Sequence, residues 1–172
     1  ESRAARLARY AGRAELIFGP RTAYRTRSGR VHEDGQPGPL HELTGYRLLA
    51  FDGIPRGSRV TIGAYSASTW AESYRPTTGV ATHLYSDGPL SGTAAVIRHG
   101  KVTSIGAWSE SLITDLLEAA LRRLGIPSRR LPDGVRVSRR GHHELWTNFT
   151  EEPIEINGLL LTPGSYDIRS LV

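Results

Sequence analysis

The chain has 172 residues, enough to bury a core as one domain or a small pair. Apolar residues make up 38% and charged residues 23%, the proportions of an ordinary soluble globular protein. There is no cysteine, which excludes disulfides, zinc–thiolate centres and a thiol nucleophile.

No apolar run approaches the roughly 20 residues that cross a bilayer. No charged-then-apolar leader pattern opens the chain either. No membrane partner is therefore expected, and a cytoplasmic location is the expectation. The net charge is +5, and the isoelectric point is about 10.0. Among the 22 basic residues only Lys101 is a lysine. The arginines are spread along the chain without a block of five or six like charges, so no nucleic-acid partner is expected. The chain starts with Glu1 and contains no methionine, which reads as a piece of something longer.

In chain order, residues 2–11 are rich in Ala, Arg and Leu and predict a short helix ending at Gly12, with Leu7, Ala8 and Ala11 on its apolar face. Residues 15–18 predict a buried strand. Residues 19–39 carry Gly19, Pro20, Gly29, Gly35, Pro37, Gly38 and Pro39 and predict a long loop. A loop of that length in a compact domain is functional or is ordered by a partner. Residues 40–44 predict one or two helical turns closed by Gly45, and 46–51 the next strand. Further strands are predicted over 59–62, 69–75 and 80–86, with a turn at Asp87-Gly88-Pro89.

The strongest local pattern follows. Ala95, Val96 and Ile97, a turn at Arg98-His99-Gly100-Lys101, then Val102, Ile105 and Trp108 predict a β-hairpin. Leu112, Ile113, Leu116, Leu117, Ala120, Leu121 and Leu124 form an apolar stripe of helical period. Ser109 is the expected N-cap, and Gly125 and Pro127 are the stop signals. A strand feeding such a helix implies an α/β domain. After Pro127 the pattern becomes short alternating runs with turns at 140–143, Asn157-Gly158 and Pro163-Gly164, the signature of a small antiparallel β-sandwich. The expected domains are 1–126 and 127–172.

Catalytic patterns are missing. No G-x-S-x-G elbow is present. The acids Glu42, Glu72, Glu110 and Glu144 follow no spacing that would hold a glycosidase pair. The six histidines form no metal-binding motif, and His142-His143 is expected at a hairpin tip. No catalytic residue, metal or cofactor is expected. Asn148-Phe149-Thr150 matches a glycosylation acceptor but reads as an ordinary strand end. Trp70, Trp108 and Trp146 read as core or interface residues. On one exposed sheet face they would instead suit a stand-alone carbohydrate-binding module, the alternative function. The long loop bears arginines and aromatics at a strand's carboxyl end, types enriched at interfaces. Arg21, Tyr24, Arg25, Arg30 and Trp70 are therefore the expected interface residues.

Several stretches resemble the part of family 42 glycoside hydrolases, the bacterial β-galactosidases, that follows the catalytic barrel. They are Leu16-Ile-Phe-Gly-Pro-Arg-Thr-Ala-Tyr-Arg25, Pro37-Gly-Pro-Leu-His-Glu-Leu-Thr-Gly45 with Phe51-Asp52, Trp70-Ala-Glu72, Tyr85-Ser-Asp-Gly-Pro-Leu90, Gly100-Lys-Val102 through Ile105-Gly106, and Gly134-Val-Arg-Val137 with residues 145–149. Their shared order and spacing span nearly the whole chain. The resemblance implies a flavodoxin-like α/β domain similar to class I glutamine amidotransferases, used for trimerisation, and then a small β-sandwich. It implies a parent that hydrolyses terminal β-D-galactosides with retention. The barrel and its two glutamates have no counterpart here, and the α/β domain matches from partway through, as if N-terminally incomplete. The expected function is the non-catalytic oligomerisation portion of a β-galactosidase. Its expected partners are further copies of itself, as a homotrimer, and the parent's catalytic barrel.

Overall fold

The computed structural model describes residues 2–171. The chain divides into two compact units, Glu1–Ile126 and Pro127–Val172.

The first unit opens with α1 (Arg3–Ala11), whose first turn is capped by Ser2 accepting from the Ala5 amide at 3.1 Å. Ala4, Leu7 and Ala11 form its partly covered face, while Ala8 points to solvent, so the apolar face is rotated from the expected one. β1 (Leu16–Phe18) follows. After the long loop come a single 3-10 turn over Gly38–Leu40 and α2 (His41–Thr44). Gly45 closes α2 with a left-handed φ of 71°. A side chain there would meet the Gly79 backbone nitrogen at 2.5 Å, so only glycine fits.

The strands continue as β2 (Tyr46–Gly53), β3 (Val60–Ile62), β4 (Tyr65–Ala67), β5 (Trp70–Pro76), β6 (Val80–Leu84), β7 (Ala94–His99) and β8 (Val102–Ile105). The main sheet has the order β1-β8-β7-β5-β2, with β6 also on β7, and β3 and β4 form a separate ribbon. The β4 strand was not expected; the ribbon pairs Val60 with Ala67 across a turn that carries Gly63. The expected α/β sheet is present as a mixed one. Among its described strands only β1 and β8 run parallel, Leu16 opposite Val102. β7 turns back on β8 through Gly100 and pairs antiparallel with β5 and β6, where hairpin connections prevail over crossovers.

α3 (Glu110–Arg123) packs Leu112, Ile113 and Leu116 against a core of Ile62, Ala71, Tyr85, Ala95, Val96 and Ile105. The expected stripe is broader than the buried arc, and Leu117 and Leu124 remain exposed. Ser109 occupies the N-cap position, but its hydroxyl makes no cap bond and faces Ser111 instead. The C-terminus ends in a Schellman arrangement. The Ile126 amide donates to Leu121 at 2.9 Å, and Gly125 adopts φ 67°. Glu15 ties the layers together: Arg98 and Arg123 both bond its carboxylate, which is only 6% exposed. The Arg123 hydrogen bond, with Arg98 adding to it, holds the Glu15 carboxyl below its ordinary value against the opposing cost of burial.

In the second unit β9 (Val135–Arg140), β10 (His143–Asn148) and β13 (Tyr166–Ser170) form a three-stranded antiparallel sheet ordered β13-β10-β9. β11 (Ile154–Ile156) and β12 (Leu159–Leu161) form a two-stranded ribbon. Val135, Trp146 and Leu161 are its buried centre, with Val137, Ile154, Ile156 and Leu159 packed around them. His142 and His143 lie exposed at the β9–β10 turn, where Gly141 has φ 58°.

Candidate interaction surface

The loop after β1 is held in an unusual backbone conformation. Arg21 and Ala23 have φ of 63° and 52°, a region that costs a residue with a side chain about 1–2 kcal/mol. Four hydrogen bonds fix it. The Arg21 amide donates to Glu72 Oε1 at 2.8 Å, and Thr22 Oγ1 donates to the Gly19 carbonyl at 2.7 Å. Gln36 Nε2 donates to the Thr22 carbonyl at 3.2 Å, and the Tyr24 amide to the Arg21 carbonyl at 3.2 Å. Gln36 belongs to the far end of the same loop, so one buried side chain ties the loop's two ends together.

This backbone presents a ladder of rings and guanidinium groups. The Arg21 guanidinium carbon lies 5.3 Å from the Tyr24 ring centre and 5.3 Å from that of Trp70. Arg25 covers Tyr24 at 5.7 Å. Phe51 stacks on Trp70 with centroids 5.1 Å apart and planes 18° from parallel. Each rung is a cation–π or offset-stacking contact worth about 0.5–1 kcal/mol at an exposed site. Four of the five expected residues, Arg21, Tyr24, Arg25 and Trp70, therefore meet in one place. Arg30 does not join them. It sits exposed on the turn of the Arg25–Val31 bridge, where its carbonyl accepts from the Thr26 amide. Sequence reasoning missed Phe51. Its place comes from the β2–β5 register, which sets Phe51 opposite Glu72 and Gly53 opposite Trp70.

Glu72 lies beneath the ladder and is 1% exposed. Its Oε1 accepts from the Arg21 amide and from Trp70 Nε1 at 3.0 Å. Its Oε2 lies 3.2 Å from the Tyr74 hydroxyl, which also lies 3.0 Å from the Ile105 carbonyl. The Tyr85 hydroxyl donates to the Glu72 backbone carbonyl at 2.9 Å. Tyr46 packs on Tyr74 with ring centres 4.1 Å apart. Burial raises the Glu72 carboxyl above its ordinary value, against the opposing pull of the Trp70, Arg21, Tyr74 and Gln36 bonds. Burial likewise raises Tyr46, Tyr74 and Tyr85.

The remaining candidates are structural. Trp146 is buried in the second unit, with Arg129 at 4.4 Å over its ring and its indole N–H on Glu144 at 3.1 Å. Trp108 is exposed and lies against Gly19, whose missing side chain leaves room for the ring. The three tryptophans thus do not share one exposed sheet face. Asn148 is fully buried; its two Nδ2 hydrogens are shared among the carbonyls of Glu152, Leu161 and Thr162, while its Oδ1 accepts from the Thr150 amide and hydroxyl. In the folded unit it is a scaffold for the turn, closed to glycosylation. Among the described residues no three His, Asp or Glu side chains gather as a metal site, and no helix is long and apolar enough to cross a membrane.

A family model described as the beta-galactosidase trimerisation domain matches residues 1–127. β-Galactosidase Bga of Halorubrum lacusprofundi is 34% identical over 179 residues, covering 91% of this chain and 26% of that protein. β-Galactosidase BgaH of Haloferax lucentense is 32% identical over 171 residues, covering 88% of this chain and 25% of its own length. The solved structure of the polyextremophilic β-galactosidase of H. lacusprofundi superposes with a TM-score of 0.86 at 31% identity, over 97% of this chain and 29% of that one. A mixed-sheet unit that matches about a quarter of a β-galactosidase is thus of the kind found in an accessory portion of a glycoside hydrolase. The chain belongs to the β-galactosidase trimerisation-domain family. It spans about a quarter of the length of the two curated relatives. The match reaches a haloarchaeal protein, so the family extends beyond the bacterial enzymes named from the sequence motifs.

Proposed function

We propose that this chain is the self-associating, non-catalytic portion of a β-galactosidase, and that copies meet through the Arg21–Tyr24–Arg25–Trp70–Phe51 ladder. The observation that carries this reading is the ladder itself. Exposed Arg21, Arg25 and Phe51 gather with half-buried Tyr24 and Trp70 around a backbone held in a costly conformation at Arg21 and Ala23. Arg and aromatic residues supply most of the binding energy at protein interfaces, because they bury large area at small entropic cost. Arg30, on the exposed turn of the same loop, is the polar rim of that face. The assembly is a homotrimer, and the catalytic barrel of the parent enzyme is the other partner. That barrel carries the two glutamates that hydrolyse terminal β-D-galactosides with retention. The β1–β8 parallel pair and α3 are the part of the first unit that fits a flavodoxin- or amidotransferase-like domain. The sheet and ribbon of the second unit, sharing one core, make a minimal β-sandwich.

Sedimentation velocity of the chain tests the interface. The double substitution R21A/Y24A lowers the association constant by at least about tenfold, because two large anchor side chains leave the face, and R30A lowers it less. An unchanged association constant for R21A/Y24A rejects this surface. Nitrophenyl galactoside is not turned over by the chain alone.

A further inference from the structure

Glu72 is enclosed by groups from four parts of the unit. They are the Arg21 amide and Gln36 from the long loop, Tyr46 from β2, Trp70 and Tyr74 from β5, and Tyr85 after β6. None of the groups bonded to its carboxyl oxygens is a charged side chain; the Arg21 guanidinium is directed to the Tyr24 and Trp70 rings. The hydrogen count points to a protonated acid. Tyr74 has one hydroxyl proton but two acceptors within reach, Glu72 Oε2 at 3.2 Å and the Ile105 carbonyl at 3.0 Å. An ionised carboxylate has no proton to give, so one of these two contacts would lack a hydrogen. A proton on Oε2 resolves this. Glu72 then donates to the Tyr74 oxygen, Tyr74 donates to Ile105, and Oε1 still accepts from Arg21 and Trp70.

We infer that Glu72 is held as a neutral carboxylic acid and is the positioning residue of the interaction surface, its one oxygen fixing both the Arg21 turn and the Trp70 ring. This rests on the ladder being the association face. Burial without a counter-charge favours the neutral form, in keeping with the raised carboxyl. Because the folded value lies above the unfolded one, the contribution of Glu72 is complete below the ordinary carboxyl range. It is lost as pH rises through the folded value. The ladder therefore loosens toward alkaline pH.

The test uses the whole chain with glutamate labelled at the side-chain carboxyl carbon, the Glu72 signal being the one absent from E72Q. The Glu72 signal is expected to titrate with a midpoint above the ordinary carboxylate range. A midpoint within or below that range overturns the inference. In sedimentation, E72Q keeps Oε1 and places an amide donor toward Tyr74. Its association constant stays within about threefold of the parent and loses its pH dependence. E72A is weakened about tenfold. If R21A/Y24A weakens association and a folded E72A does not, the positioning role fails while the surface stands. If R21A/Y24A has no effect, the surface reading fails, and the titration midpoint still decides the state of Glu72. Should E72A not fold, the flat pH profile expected of E72Q replaces it; a pH profile matching the parent overturns the inference.

Discussion

Gly106→Ala is a single-atom perturbation of the structure beneath the ladder. Gly106 lies at a bend just after β8. Its amide donates to the Ala95 carbonyl at 2.8 Å, and its carbonyl accepts from the Glu72 amide at 2.7 Å. A β-carbon there would overlap the Glu72 carbonyl oxygen and approach the Ala95 oxygen at 3.1 Å. Both obstacles are backbone, so no rotamer change relieves them. The strand must move, stretching two backbone hydrogen bonds worth about 1 kcal/mol each and adding about 1–3 kcal/mol of overpacking. About 3–5 kcal/mol follows, a fall in Tm of about 10–20 °C for a unit of this size. Gly53→Ala is the control. Nothing lies within 4 Å of its β-carbon and its φ is not positive, so the change is close to neutral or slightly stabilising. Thermal unfolding followed by circular dichroism measures both. A G106A chain that melts within about 2 °C of the parent would refute the packing argument.

Asn148→Ala removes a buried amide whose two N–H groups are shared among three carbonyls and whose oxygen accepts from Thr150. It destabilises the second unit by about 2–4 kcal/mol, read as earlier loss of amide-exchange protection in residues 134–162. Glu15→Gln loosens the junction of β1, β7 and α3 by about 1–2 kcal/mol, discounted because Arg123 is 38% exposed. The Glu15 carboxyl is depressed, so its contribution is present above the ordinary carboxyl range and lost as pH falls through the lowered value. The Tm gap between parent and E15Q should therefore close in acid. Leu112→Ala, at a fully buried core position, costs about 2–5 kcal/mol in denaturant unfolding, whereas Leu117→Ala, at an exposed one, costs under about 1 kcal/mol.

Local physics was readable without coordinates. The 3.6-residue stripe marked α3, Gly100 and Gly45 marked turns that need positive φ, and the density of Gly and Pro over 19–39 marked a loop. The arginines and aromatics of that loop, with Trp70, were enough to name most of the candidate surface, because interface chemistry is carried by residue type. Strand direction was not readable. A helix after a strand suggests parallel crossovers, yet the short turn at Gly100 makes β7 and β8 antiparallel, and β5 and β6 each pair antiparallel with β7, which only the assembled sheet shows. Phe51 and Glu72 illustrate the same division. Both stand in stretches that resemble the family, yet nothing in the sequence places either at the surface; the β2–β5 register brings Phe51 onto Trp70, and the fold of the distant loop brings the Arg21 amide onto Glu72. Contacts between residues tens of positions apart depend on closure of the whole sheet, which is why tertiary structure alone decides them.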